Sequence, residues 1–174
     1  MSPIKMKVSK TPVPARRGLS PRPMRSRIQR ILATTDFSDE SLAGVRYALS
    51  LAERLKAAVA LLHVIEPPSR IAGMEAVVLA REDSEVRELA RAQLKMIAAR
   101  ETKGDLKVTS LLRIGSPFHE ITKAAREAAA DLIVIATHGY TGARRVLLGS
   151  TAERVVRHAQ CPVLVVRDRK AKSN

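Results

Sequence analysis

The chain has 174 residues and a mass of 19.0 kDa, a length that suits one domain of about 100–200 residues. Its 45% apolar share can bury a core, but no apolar run approaches the roughly 18–20 residues of a membrane span, which excludes a transmembrane helix and membrane insertion. A 2% aromatic share with no Trp argues against base stacking, and the single cysteine, Cys161, excludes a disulfide scaffold and a multi-cysteine zinc site. With no secretory signal, the expected location is the cytoplasm.

The net charge of +14 is unevenly spread. Residues 1–30 hold nine Lys and Arg and no Asp or Glu, whereas the rest of the chain holds 22 Lys and Arg against 17 Asp and Glu. The basic character belongs mostly to a tail. Pro3, Pro12, Pro14, Pro21 and Pro23 sit in residues 1–27 among basic and small residues without a helical or strand period. Such a segment cannot bury enough apolar surface to offset its ordering entropy, so 1–27 reads as a disordered arm. The domain is expected over 28–168, with a short basic tail at 169–174. The arm leaves three readings open. It is a solvated tail (or the chain starts at Met24), an arm that meets nucleic acid or an acidic surface by counterion release, or a targeting segment. It lacks the apolar h-region of a secretory signal, and its prolines prevent an amphipathic transit helix.

From Arg30 the pattern is regular. Arg30–Thr34 is a short apolar run that reads as a buried strand. Asp36-Phe37-Ser38-Asp39 follows, with Ser38 as N-cap and Asp39 and Glu40 in the first helical turn. Leu42, Val45, Leu49, Ala52 and Leu55 recur at spacings of three and four, an amphipathic helix. Ala58–Val64 is a second buried strand, broken by Glu66-Pro67-Pro68-Ser69. A long helix is expected over Asp83–Lys103, with Val86, Leu89, Ala90, Leu94 and Ile97 on one face. Lys107–Arg113 alternates polar and apolar residues and reads as a third strand. Ser116 and Pro117 suit the N-cap and first position of a helix running to about Ala129. Asp131–Ala136 is a fourth strand, Thr137–Gly149 a glycine-containing loop, Ser150–His158 a last helix and Pro162–Val166 a last strand.

Strands alternating with helices predict an α/β fold: a five-stranded, mostly parallel, open Rossmann-like sheet flanked by helices. Ligands of such sheets bind at the carboxyl ends of strands, near the switch in strand order. Three segments meet there. Gly149-Ser150-Thr151 opens a helix whose first N–H groups are unpaired at the positive dipole end, and its hydroxyls add donors. That is phosphate-binding chemistry, although Gly149 and Ser150 equally suit a plain turn and cap. Asp36 suits hydrogen bonds to a ribose or base, or a cap. Val64 offers a backbone edge and an apolar side chain to an adenine ring, or simply core.

Over Gln29–Asp168 the chain resembles the universal stress proteins, in particular their ATP-binding subgroup. Gly139, nine residues, then Gly149-Ser150 match the second half of that subgroup's glycine motif. Asp36-Phe37-Ser38, Leu62-His63-Val64 and Cys161-Pro162-Val163-Leu164-Val165-Val166 resemble the family too. The resemblance implies an adenine nucleotide alpha hydrolase-like fold and an ATP site. Thr34 and Asp36 would contact the nucleoside, Val64 the adenine, Ile135 and Ala136 the floor, and Gly139, Gly149, Ser150 and Thr151 the phosphates. Mg²⁺ or Mn²⁺ would be held mainly by phosphates and water. It also implies a nucleotide-regulated homodimer paired through Val163–Val166, with a possible protein client, which an otherwise open apolar edge strand independently favours. The departure is Ala136, where the motif has its first glycine. If that position needs only a small side chain, binding is kept; if it needs a left-handed backbone, binding weakens. A nucleotide-free stress protein acting through its dimer or partner surface is then the alternative.

No Gly-x-x-x-x-Gly-Lys-Ser/Thr motif is present, so the chain is not a P-loop NTPase. Neither a two-carboxylate metal clamp nor a nucleophile–base–orienter set is legible, so no catalytic residue or protein-ligated metal is expected and hydrolysis is at most slow. Arg144 and Arg145 suit either a γ-phosphate or a solvated surface. His63 reads as structural, and His138 as a polar loop contact or an incidental residue. Cys161 reads as a small buried filler.

Overall fold

The structure, a computed structural model, describes residues 27–67, 76–137 and 148–167, with 76–83 as backbone alone. Five strands, β1 (Arg30–Thr34), β2 (Ala58–Ile65), β3 (Val108–Ile114), β4 (Leu132–Ala136) and β5 (Val163–Val166), form one sheet in the order β3-β2-β1-β4-β5. All four pairings are parallel, so the sheet is parallel throughout rather than mostly so. Four helices connect them: α1 (Asp39–Leu55), α2 (Ala76–Glu101), α3 (Pro117–Glu127) and α4 (Ser150–His158).

Strand alternation divides the core. Ile31, Ala33, Leu61 and Val134 pack with Val45, Ala48 and Leu49 of α1 and Leu94 of α2. Leu32, Leu62, Ile133 and Ile135 pack on the other face with Ile121 of α3 and Val155 of α4. Side chains such as Leu32 and Ile133, at 0% exposure, each contribute about 1.5–3 kcal/mol of burial. These central runs are apolar at consecutive positions because helices cover both faces.

Most expected elements stand within a few residues of their places. The long helix differs. It begins at Ala76, and only Ala90, Leu94 and Ile97 of its expected face are buried. Val86 and Leu89 are 48% and 62% exposed. The helix packs on β2 and β3 at the end of the sheet, which covers one stripe and leaves the neighbouring apolar stripe open. The expected tails, 1–27 and 169–174, lie outside the described residues except for residue 27.

From β1 the chain moves outward through β2 to β3, then returns to place β4 on the other side of β1. The switch in strand order therefore lies between β1 and β4, and the loops above them diverge around a crevice.

Candidate functional site

One wall of the crevice is the turn from β1 to α1, locked by its own hydroxyls. The Thr34 hydroxyl reaches the Val134 carbonyl at 3.5 Å, tying β1 to β4. Thr35 and Ser41, both buried, pair through their hydroxyls at 3.0 Å. The Asp36 carboxylate accepts from the Ser38 N–H at 3.1 Å and the Ser38 hydroxyl at 2.6 Å. Ser38 in turn caps α1 by accepting the Ser41 N–H at 3.2 Å. Phe37 sits at φ 69°, a strained conformation for a side chain of that size, and is held there by its N–H bond to the Thr35 hydroxyl at 3.0 Å.

His63 supports that turn from beneath. Its Nδ1 lies 2.8 Å from the Thr35 carbonyl, which can only accept, so Nδ1 carries the hydrogen. The ring stacks on Phe37 at 4.1 Å between centroids. Burial pushes the imidazole below its ordinary pKa; the Thr35 bond and the Asp36 charge oppose that in part. His63 thus shapes the wall without lining the crevice. Cys161 is half-buried, and burial first, then the Asp131 charge, pushes its thiol up, away from nucleophilic use.

The opposite wall is the end of β4 and the start of α4. Gly149 is the N-cap, with φ −66° and ψ 152°, and its N–H donates to the Thr137 carbonyl at 2.7 Å. Any residue can adopt that conformation, so glycine's contribution there is the side chain it lacks. Gly149 has no side chain to cap α4, and the helix ladder begins with the Glu153 N–H on the Gly149 carbonyl at 2.9 Å. The N–H groups of Ser150, Thr151 and Ala152 therefore precede the ladder, at the positive end of the helix dipole.

Between the walls lies a cavity of about 310 Å³, at the small end of ligand sites. Thr34, Asp36, Val64, Ile135, Ala136, Gly149, Ser150 and Thr151 all line it. Eight of the nine residues singled out from the sequence thus meet at one place; the ninth, Gly139, lies outside the described residues, as do His138, Arg144 and Arg145. The cavity has two chemical ends. Asp36 and Glu66, after β1 and β2, bring carboxylates, while the α4 start brings N–H groups and hydroxyls. Leu62, Ile121 and Ala152 give it apolar walls. No group of three or more His, Cys, Asp or Glu that could hold a metal ion occurs among the described residues.

A model of the universal stress protein family matches residues 27–167. The chain belongs to this family. It is similar to universal stress protein MJ0531 of Methanocaldococcus jannaschii, at 36% identity over 80% of this chain and 82% of that one. Among solved structures it is similar to protein MJ0577, with a TM-score of 0.71 and 27% identity over 83% of this chain and 99% of that one. It is likewise similar to universal stress protein UspA from Lactobacillus plantarum, with a TM-score of 0.68 and 28% identity over 82% and 99% of the two chains.

Within this universal stress protein fold, Ala136 takes an ordinary place. It is a β4 residue paired with Val166, and its backbone is extended rather than left-handed. The α1 backbone passes over it at Gly44, where an added Cβ would lie 3.6–3.9 Å from Ala136 atoms. Reading from sequence missed Thr35, Ser41, Glu66 and Thr137, which also line the cavity. Thr35, Glu66 and Thr137 follow directly on β1, β2 and β4, so the strand-end rule applied to every strand points to them. Leu62, Ile121 and Ala152 carry no such signal, since an apolar cavity wall reads like core.

No described helix is long and apolar enough to cross a membrane.

Proposed function

We propose that this universal stress protein is a cytoplasmic, nucleotide-regulated module that binds an adenine nucleotide, ATP in the first instance, in the switch-point cavity. The observation that carries this reading is the start of α4: a glycine N-cap, no side-chain cap, and three N–H groups and two hydroxyls beside an open cavity. An anion at such a helix end gains about 0.3–1 kcal/mol from the dipole, and up to about 2 when partly buried. The carboxylates of Asp36 and Glu66 repel phosphate, so charge orients the ligand with its phosphates at α4 and its nucleoside between β1 and β2. There Val64 and Leu62 offer an apolar surface to the base. Mg²⁺ or Mn²⁺ would arrive with the phosphates and their water.

Proteins of this fold have been solved in complex with cAMP and, from Archaeoglobus fulgidus, with dAMP. At 23% and 21% identity they share the fold, and the ligand class rests here on the cavity itself. Hydrolysis is at most slow in this reading, since the Asp36 carboxylate is engaged by Ser38 within the wall. The regulated unit is a homodimer paired through β5, whose far side has no strand beside it among the described residues.

The test is to purify the chain without added nucleotide, denature it and chromatograph what it releases, beside a Gly149→Val variant. The Gly149 backbone suits valine, so the variant folds while its side chain fills the phosphate end. Stoichiometric adenine nucleotide from the native chain and none from the variant is expected. A chain that releases none, and retains none after incubation with Mg·ATP and gel filtration, contradicts the reading.

A further inference from the structure

Helix α2 carries two adjacent apolar stripes. The inner one, Ala90, Leu94 and Ile97, is buried at 4% exposure or less. The outer one runs through Val86, Leu89, Ala92, Met96 and Ala99 at spacings of three and four, a band about 140° wide along one side of the helix. All five are exposed, with Val86 at 48%, Leu89 at 62% and Met96 at 57%. Isolated apolar side chains on a surface are ordinary; a continuous stripe of them points to a partner. Nothing in the nucleotide reading uses this face, which lies at the β3 end of the sheet, away from β5.

The charges along the same side suggest the occupant. Exposed Glu85 stands at the start of the stripe; exposed Arg100, which also pairs with Glu101 at 2.7 Å, stands at its end, with exposed Lys103 just beyond the helix. A helix that is acidic at one end and basic at the other complements itself when antiparallel. With Glu85 set opposite Arg100 of a second copy, Leu89 falls opposite Met96 and Val86 opposite Ala99. Ala92 then lies beside the twofold axis, where a methyl lets the two backbones approach. The same register thus satisfies the charges and the apolar residues at once, as an isologous contact requires.

We propose that the exposed face of α2 is a self-association surface on which two copies of this chain pair antiparallel through Val86, Leu89, Ala92, Met96 and Ala99. The contact spans sixteen residues, about 24 Å of helix, so it is small and dissociates on dilution. It is separate from pairing at β5, and together the two contacts build assemblies larger than a dimer.

Sedimentation of the full chain across a dilution series tests this. Leu89 is 62% exposed, and Leu89→Glu is expected to lower the average mass at the highest concentration by at least half. Lys123→Glu, exposed on α3 over the other face of the sheet, leaves the mass unchanged. Glu85→Arg and Arg100→Glu each weaken association, and the double variant E85R/R100E, which restores the pair with its signs exchanged, recovers it. Circular dichroism confirms that each variant keeps its helices. A Leu89→Glu protein with the native mass at every concentration overturns the proposal. So does a double variant no better than its single parents, which would place some other partner on this face.

Discussion

The methyl group of Ala136 lies under Gly44 of α1, in a strand conformation that alanine adopts without strain. A left-handed backbone is what would have made glycine necessary at this position, and the structure has none there. Ala136→Gly is therefore expected to change nucleotide affinity by no more than about twofold. It should lower unfolding stability by roughly 0.5–1 kcal/mol, because glycine weakens a strand interior. A tenfold gain in affinity would show instead that the methyl obstructs the cavity. His63 offers a second test at this scale. Burial lowers its folded pKa below the ordinary 6.5, so the unfolded chain binds the extra proton more readily. The stability His63 contributes is complete above the unfolded value and is lost as pH falls through it toward the folded one. Urea midpoints measured from about pH 8 to about pH 5 should fall for the native chain, and fall less for His63→Gln. Equal slopes would mean that the imidazole is not the group responsible.

The elements most legible in the sequence are those whose burial is complete. β1 and β4 are apolar at consecutive positions because both faces are covered, and α4 has the bounds expected for it. α2 was less legible because apolar residues occupy two neighbouring stripes, and periodicity alone does not say which one meets the sheet. The cavity followed a similar division. Residues with distinctive chemistry at strand ends, such as Asp36 and Gly149, stand out along a chain, whereas Leu62 and Ile121 become walls only when α3 is laid over β2. β5 carries the prediction proper to an element. The Pro162 and Val166 carbonyls accept from Ile133 of β4 and from Thr137 just after it, so the backbone groups of Val163 and Val165 point to the open edge. Val165→Pro removes one outward N–H and leaves the β4 ladder intact, as proline on an edge strand allows. In a Leu89→Glu background, which removes pairing at α2, a two-chain particle is expected to become a single chain when Val165→Pro is added. A particle that stays paired would exclude β5 as its interface.

At the scale of the whole molecule, the switch in strand order between β1 and β4 opens a crevice lined by polar residues from the ends of β1, β2 and β4 and the start of α4. Carboxylates collect on one side of the crevice and a helix N-terminus on the other, which fits a ligand with an anionic end and a neutral, hydrogen-bonding end. The two open surfaces, the β5 edge and the α2 stripe, lie at opposite ends of the sheet, so assembly can proceed without closing the cavity. Calorimetric titration of Mg·ATP into the native chain and into Gly149→Val decides whether this cavity takes an adenine nucleotide with its phosphates on the start of α4. One site per chain is predicted for the native protein, with affinity at least tenfold weaker in a variant that melts as the native chain does. Equal affinity in the two proteins, or no binding to either, would contradict it.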